Sequence, residues 1–115
     1  MLDGVFARGT TPTQIFPLPG DLTVSDFLDF TITYRQKGKN VLVKGKKDTC
    51  NIIDLDSVCN IILVLSEKET LLFNPNIKIV EVQIKGITTG HDVFLLGEYR
   101  FRLEDVFDEV GFDLN

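Results

Sequence analysis

The chain has 115 residues, 43% hydrophobic and 25% charged, with a net charge of −5. That length suits one domain with a modest core. The acidic balance argues against a general nucleic-acid binder and against an anionic membrane surface as partner, since both call for a basic field. No apolar run reaches the ~20 residues that cross a bilayer, and residues 1–20 lack the apolar stretch of a signal peptide.

Nine Phe, no Trp and frequent β-branched residues favour strands. Residues 1–13 have mixed polarity and no period, and read as an N-terminal arm. Gln14-Ile15-Phe16-Pro17-Leu18-Pro19 reads as an edge strand, because proline cannot donate to a ladder. Thr23–Leu28 could form a single helical turn or a connector, with Ser25-Asp26 offering a local cap. In 29–36, Phe30, Ile32 and Tyr34 alternate with Thr31, Thr33 and Arg35, the period of a half-buried strand. Lys37-Gly38-Lys39-Asn40 then turns the chain. A loop of even length keeps Tyr34 and Ile32 on the face of Val41 and Val43.

Residues 50–56 read as a short strand or extended link. Residues 58–65, VCNIILVL, are apolar on both faces and predict a central, covered strand. Ser66 and Glu69 have capping-box spacing, so a short helical turn is expected near 66–72, with Leu71, Leu72 and Phe73 plugging the core.

Residues 80–103, VEVQIKGITTGHDVFLLGEYRFRL, predict a long hairpin. With Gly90-His91 at the centre of a II′ turn, Val82 falls opposite Tyr99, Val80 opposite Phe101 and Glu81 opposite Arg100. Gly86 and Gly97 mark bulges or bends. Residues 105–115 form an acidic tail, with Val106, Phe107 and Val110 at near-helical spacing. The order of elements predicts an all-β domain over 14–104. Its expected architecture is an antiparallel β-sandwich of about seven strands, Ig-like or jelly-roll.

Chemistry is thin. Asp54, Asp56, Glu67, Glu69, Glu81, Glu98 and Glu104 are not spaced as a catalytic pair and read as a solvated face. Asp54-x-Asp56 lacks the glycine and terminal glutamate of a calcium loop. His91 beside Asp92 has no nucleophile to serve and reads as a turn histidine. Cys50 and Cys59 are too few for a metal; they read as reduced thiols acting as small hydrophobes, with a disulfide as the alternative. No catalytic residue, cofactor or metal is expected.

Arg35, Lys37, Lys39, Lys44, Lys46 and Lys47 crowd the first hairpin, against Glu104, Asp105, Asp108, Glu109 and Asp113 near the end. Solubility and edge protection account for the lysines. The sharper reading has one copy's basic hairpin meeting an acidic surface of the next.

Arg8-Gly9-Thr10-Thr11-Pro12-Thr13 leads into Ile-x-x-Leu-Pro. Tyr34-x-Gln36-x-Gly38-Lys39 closes the first hairpin, Leu65-Ser66-x-x-Glu69-Thr70-Leu71-x-Phe73 follows the central strand, and Val82-x-Ile84 runs on to Thr88-Thr89-Gly90. This set resembles small structural proteins of phages and prophages of Gram-positive bacteria, similar to the β-sandwich modules of tails and baseplates. The resemblance implies a non-enzymatic virion protein. It implies residence in the host cytoplasm during assembly and then in the particle, with other virion proteins or further copies as partners. Candidate contacts are Arg8, Thr10, Thr11 and Pro12 in the arm, the five lysines, and Val106, Phe107 and Phe112 in the tail. A free-standing module for a carbohydrate or a host surface protein is the alternative, weakened by having only Tyr34 and Tyr99 besides Phe as aromatic surface.

Overall fold

The computed structural model describes residues 2–18, 27–48, 50–55 and 58–104. Of the Thr23–Leu28 expectation, 23–26 lie outside the described residues, as does the tail with Val106, Phe107 and Phe112, while Phe27 and Leu28 are strand, not a helical turn or connector. Among the described residues eight strands and one helical turn follow in order: β1 Gly4–Ala7, β2 Thr13–Pro17, β3 Phe27–Gln36, β4 Lys39–Gly45, β5 Cys50–Leu55, β6 Val58–Val64, α1 Glu67–Thr70, β7 Ile79–Thr88 and β8 Val93–Glu104. They form a large sheet, β1-β8-β7-β3-β4, and a small sheet, β2-β6-β5. The domain is an all-β sandwich. With β2, β6 and β5 as the B, E and D strands and β3, β4, β7 and β8 as C, C′, F and G, the order is that of an Ig-like sandwich rather than a jelly roll.

Inner-face residues of both sheets make the core: Phe16, Cys59, Ile61 and Leu63 from the small sheet, Phe30, Ile32, Tyr34, Val80, Val82, Ile84, Phe101 and Leu103 from the large one. Aromatic rings bind the layers. Phe16 lies 4.9 Å from Tyr99 and 5.9 Å from Phe101, and Phe73 lies 5.3 Å from Phe6 and 5.9 Å from Tyr34. Tyr34 donates its hydroxyl hydrogen to the buried Gln14 side chain, a polar tie through the core. The Tyr99 hydroxyl donates to the Pro17 carbonyl at 2.7 Å. Burial and the charge of Asp3 push that phenol up to about 12, so it remains a donor at any physiological pH.

Several expectations are corrected. Gly4–Ala7, placed in the arm, form β1, which pairs in parallel with β8, so the sandwich is not wholly antiparallel. Phe6 explains this, because it is buried against Phe73 and Phe101. The first hairpin does have a two-residue loop, Lys37-Gly38, both with positive φ (49° and 78°). A bulge between Tyr34 and Arg35 then sets Tyr34 opposite Leu42, and turns Val43 outward to 54% exposure. Only Phe73 of the 71–73 trio plugs the core, since Leu72 is 59% exposed.

The long hairpin keeps its predicted pairs Val82–Tyr99, Val80–Phe101 and Glu81–Arg100. Its turn differs. Thr89-Gly90-His91 is a three-residue loop in which the His91 N–H bonds the Thr88 carbonyl and His91 takes φ 65°. The odd loop shifts the register by one, and a bulge between Ile84 and Lys85 restores it. Leu96 is the extra residue and is buried over Gly86, where a Cβ would stand 2.5 Å from its Cδ1.

β6 is central in its sheet and covered on both faces along its middle: Cys59, Ile61 and Leu63 are buried on the inner face and Asn60 on the outer, with Ile62 half-buried, while Val58 and Val64 at its ends are exposed. Cys59 is buried opposite Asp54, and Cys50 pairs with Leu63 in the ladder. Four strand residues, about 13 Å, separate the two registers, beyond the ~7 Å that a disulfide bridges. The reduced-thiol reading fits this placement.

The capping box forms as predicted. Ser66 N–H donates to Glu69 Oε1 at 2.8 Å, and Glu69 N–H to Ser66 Oγ at 3.1 Å. Glu69 Oε2 also holds Lys44 Nζ at 2.6 Å. Burial alone would raise the Glu69 pKa, but the Lys44 bond, the Ser66 N–H and hydroxyl and the Lys44 charge together hold it below the ordinary value. The stabilisation is therefore complete above the unfolded carboxylate range and is lost as pH falls through the lower folded value. Glu69→Gln retains the box and removes the charge. It should cost about 1 kcal/mol at neutral pH and nothing in strong acid, read from urea unfolding at both pH values. An equal loss in acid would assign the effect to the cap.

Candidate contact end

By the strand directions the exit of β2, the entry of β3, the exit of β4 and the β7–β8 loop lie at one end of the sandwich, while β5 enters opposite Leu63 at the other. In variable Ig domains the B–C, C′–C″ and F–G loops at the corresponding end carry binding, an analogy of fold alone. At this end Val93, Phe94 and Leu95 open β8 at 57, 46 and 57% exposure. Leu28 at 47% stands on the same end of β3. A shallow depression of about 220 Å³ runs between Asp29, Phe30, Thr31, Lys85, Gly86, Ile87 and Val93.

The local geometry explains why Val93 and Leu95 are out, while Phe94 stands opposite Gly86 on the other face of the sheet. The bulge turns Leu96 inward and leaves Leu95 opposite Lys85 and Val93 opposite Ile87 on the outer face of the large sheet. Three consecutive exposed apolar residues cost solubility and mark a functional surface where they persist. Lys46 and Lys47 are exposed beside them in the β4–β5 turn, and Lys46 Nζ reaches the Leu28 carbonyl at 3.3 Å. Asp48 is spent on the turn itself, accepting the Gly45 N–H at 2.7 Å.

The lysines do not form a single basic hairpin. Lys37 and Lys39 lie at the other end of β4 from Lys46 and Lys47, and Lys44 between them is bound to Glu69. The arm residues are wired inward. Arg8 Nη2 donates to the Leu71 carbonyl, the Thr10 hydroxyl to the Ala7 carbonyl, and Gly9 N–H to Thr70 Oγ1. The Pro12 carbonyl accepts the Leu65 N–H, and Thr11 is exposed. The run VFLL at 93–96 reads as strand and is strand; its exposure is the signal for this candidate contact end that the sequence reading did not use.

A second depression of about 410 Å³ lies over the ladder Arg35–Glu81–Arg100, with Asp3 and Glu98 on its rim. Opposite charges alternate there and offer no single-sign ligand site. Among the described residues no three side chains of metal-ligating type cluster, and no helix is long and apolar enough to cross a membrane. No protein-family model, curated protein or solved structure matches the chain.

Proposed function

We propose that this chain is a non-enzymatic structural or assembly protein of a phage or prophage virion, of tail or baseplate type. It works in the host cytoplasm during assembly and then in the particle, and its partners are other virion proteins or further copies of itself. The observation that carries a contact role is the exposed Val93-Phe94-Leu95 run, held on a rigid hairpin beside Leu28, Lys46 and Lys47. The virion assignment adds the resemblance of the motifs between Arg8 and Glu104. The carbohydrate alternative loses further ground, because Tyr34 is fully buried and Tyr99 packs on Phe16.

Particles purified after prophage induction from a strain encoding the chain should contain it by mass spectrometry. Recovery only from the soluble lysate would overturn the virion reading. Phe94→Asp with Leu95→Asp should remove it from particles several-fold while leaving thermal unfolding of the isolated domain within about 1 kcal/mol of wild type, as exposed sites do. Undiminished incorporation would move the contact elsewhere.

A further inference from the structure

The outer face of the small sheet is largely apolar over its described residues. Register places Ile15, Ile62 and Asn51 in one row, Pro17, Asn60 and Ile53 in a second, Thr13 beside Val64, and Val58 opposite Leu55. Ile15, Val64, Ile53, Leu55 and Val58 are 56, 47, 40, 52 and 38% exposed around the half-buried Ile62 and the buried Asn60, and among the described residues no charged side chain belongs to the face. A strand that is apolar on both sides, as β6 is, suits a position between two layers, and the described residues supply only one in full.

We propose that the chain's own residues 105–115 form the missing cover, packed over β2 and β6 of the same molecule. Three observations point to this occupant. The first is the exit point. The Glu104 carbonyl accepts the Arg8 N–H at 3.3 Å, and Arg8–Pro12 lead straight to the Thr13–Val64 corner of the face. Eleven residues extend about 36 Å, against the ~10 Å between layers, so the segment crosses the end of the sandwich with length to spare.

The second is size. Three strands of about five residues give a footprint of roughly 240 Å². Even doubled for relief, that falls short of the ~800 Å² per partner of a stable interface between two folded domains. It matches one extended segment. The third is pattern. In Glu109-Val110-Gly111-Phe112-Asp113-Leu114, apolar residues alternate with glycine and acids, which puts Val110, Phe112 and Leu114 on one side of an extended chain and the acids on the other. An uncharged face accepts the first side, and the carboxylates stay in water.

The inference is independent of the virion reading. The chain has no tryptophan, so Phe112→Trp in the full chain is a sole reporter, with Leu114→Trp, on the same side of the extended segment, as a second position in case the first perturbs packing. Emission should be blue-shifted, several-fold less quenched by acrylamide than in urea, and unchanged on dilution. Val64→Lys or Ile15→Lys, exposed sites in the described fold, should return it to the solvent value. Solvent-like emission from both reporters would overturn the proposal. So would a shift on dilution, which would place the segment on a second copy, or indifference to both lysine variants, which would place it on another surface.

Discussion

Phe73→Ala should lower stability by about 4 kcal/mol, the usual range for emptying a buried phenylalanine site. Phe73 is 1% exposed and sits edge-on to Phe6 and Tyr34, with interplanar angles of 75° and 71°. The substitution removes the dispersion contacts and both ring pairs, and both partner rings stand on paired strands of the large sheet, β1 and β3, which limits how far the site can close. A domain of this size loses roughly 4 °C per kcal/mol, so the melting temperature should fall about 15 °C. Phe73→Leu keeps most of the volume and should cost less than half as much. A small loss for Phe73→Ala would mean that the 71–78 segment collapses inward, which amide exchange there would reveal.

Gln36→Leu should cost about 3 kcal/mol, close to 1 kcal/mol for each of three hydrogen bonds. Gln36 is 3% exposed at the end of β3. Its Nε2 donates to the carbonyls of Asn74 and Ile77 at 3.1 and 2.9 Å, and its Oε1 accepts the Asn74 N–H at 2.8 Å. The side chain thus fixes a turn that the sheets do not reach. Gln36→Glu discriminates between lost shape and lost donors. Its carboxylate keeps the acceptor but faces two carbonyl oxygens, so its folded pKa is raised above the ordinary ~4.3. A raised value gives stability that is full below the unfolded pKa and lost as pH rises through the folded one. Gln36→Glu should therefore be weaker than Gln36→Leu at neutral pH and approach wild type in acid. Denaturant midpoints across pH would show it, and a flat difference would leave shape as the cause.

The parts of the fold legible in sequence are those governed by neighbours in the chain or by period. The Ser66–Glu69 box needs only residues three apart, and it formed as read. The Val82–Tyr99 register followed from matching apolar and charged pairs on both faces at once, so it survived a wrong turn. The turn itself was illegible because His91, without glycine's freedom, takes the left-handed conformation while Gly90 does not. Nothing local reports that Leu96 must enter the core over Gly86 and so absorb the odd residue.

β1 escaped for a different reason. Four residues carry no usable period, and their partner is ninety-seven positions away, Gly4 opposite Phe101. Exposure at the contact end was equally hidden: VFLL looks like core until the bulge decides which of its members turns inward. The lysines illustrate the opposite error. Nearness in sequence suggested a cluster, but a strand carries Lys39 and Lys46 to opposite ends.

The pairing of β1 with β8 has a mechanical consequence. The two strands run in the same direction, with the N-terminal side entering at Gly4 and the C-terminal side leaving at Glu104. Tension applied between the ends of the chain therefore pulls the strands past each other along their length. All rungs of the ladder share the load, and none can open before the rest, unlike a hairpin peeled from its tip. Phe6, locked between Phe73 and Phe101, resists the same sliding. A domain wired this way yields under stretch at its closing ladder first, and it holds its shape until that ladder shears.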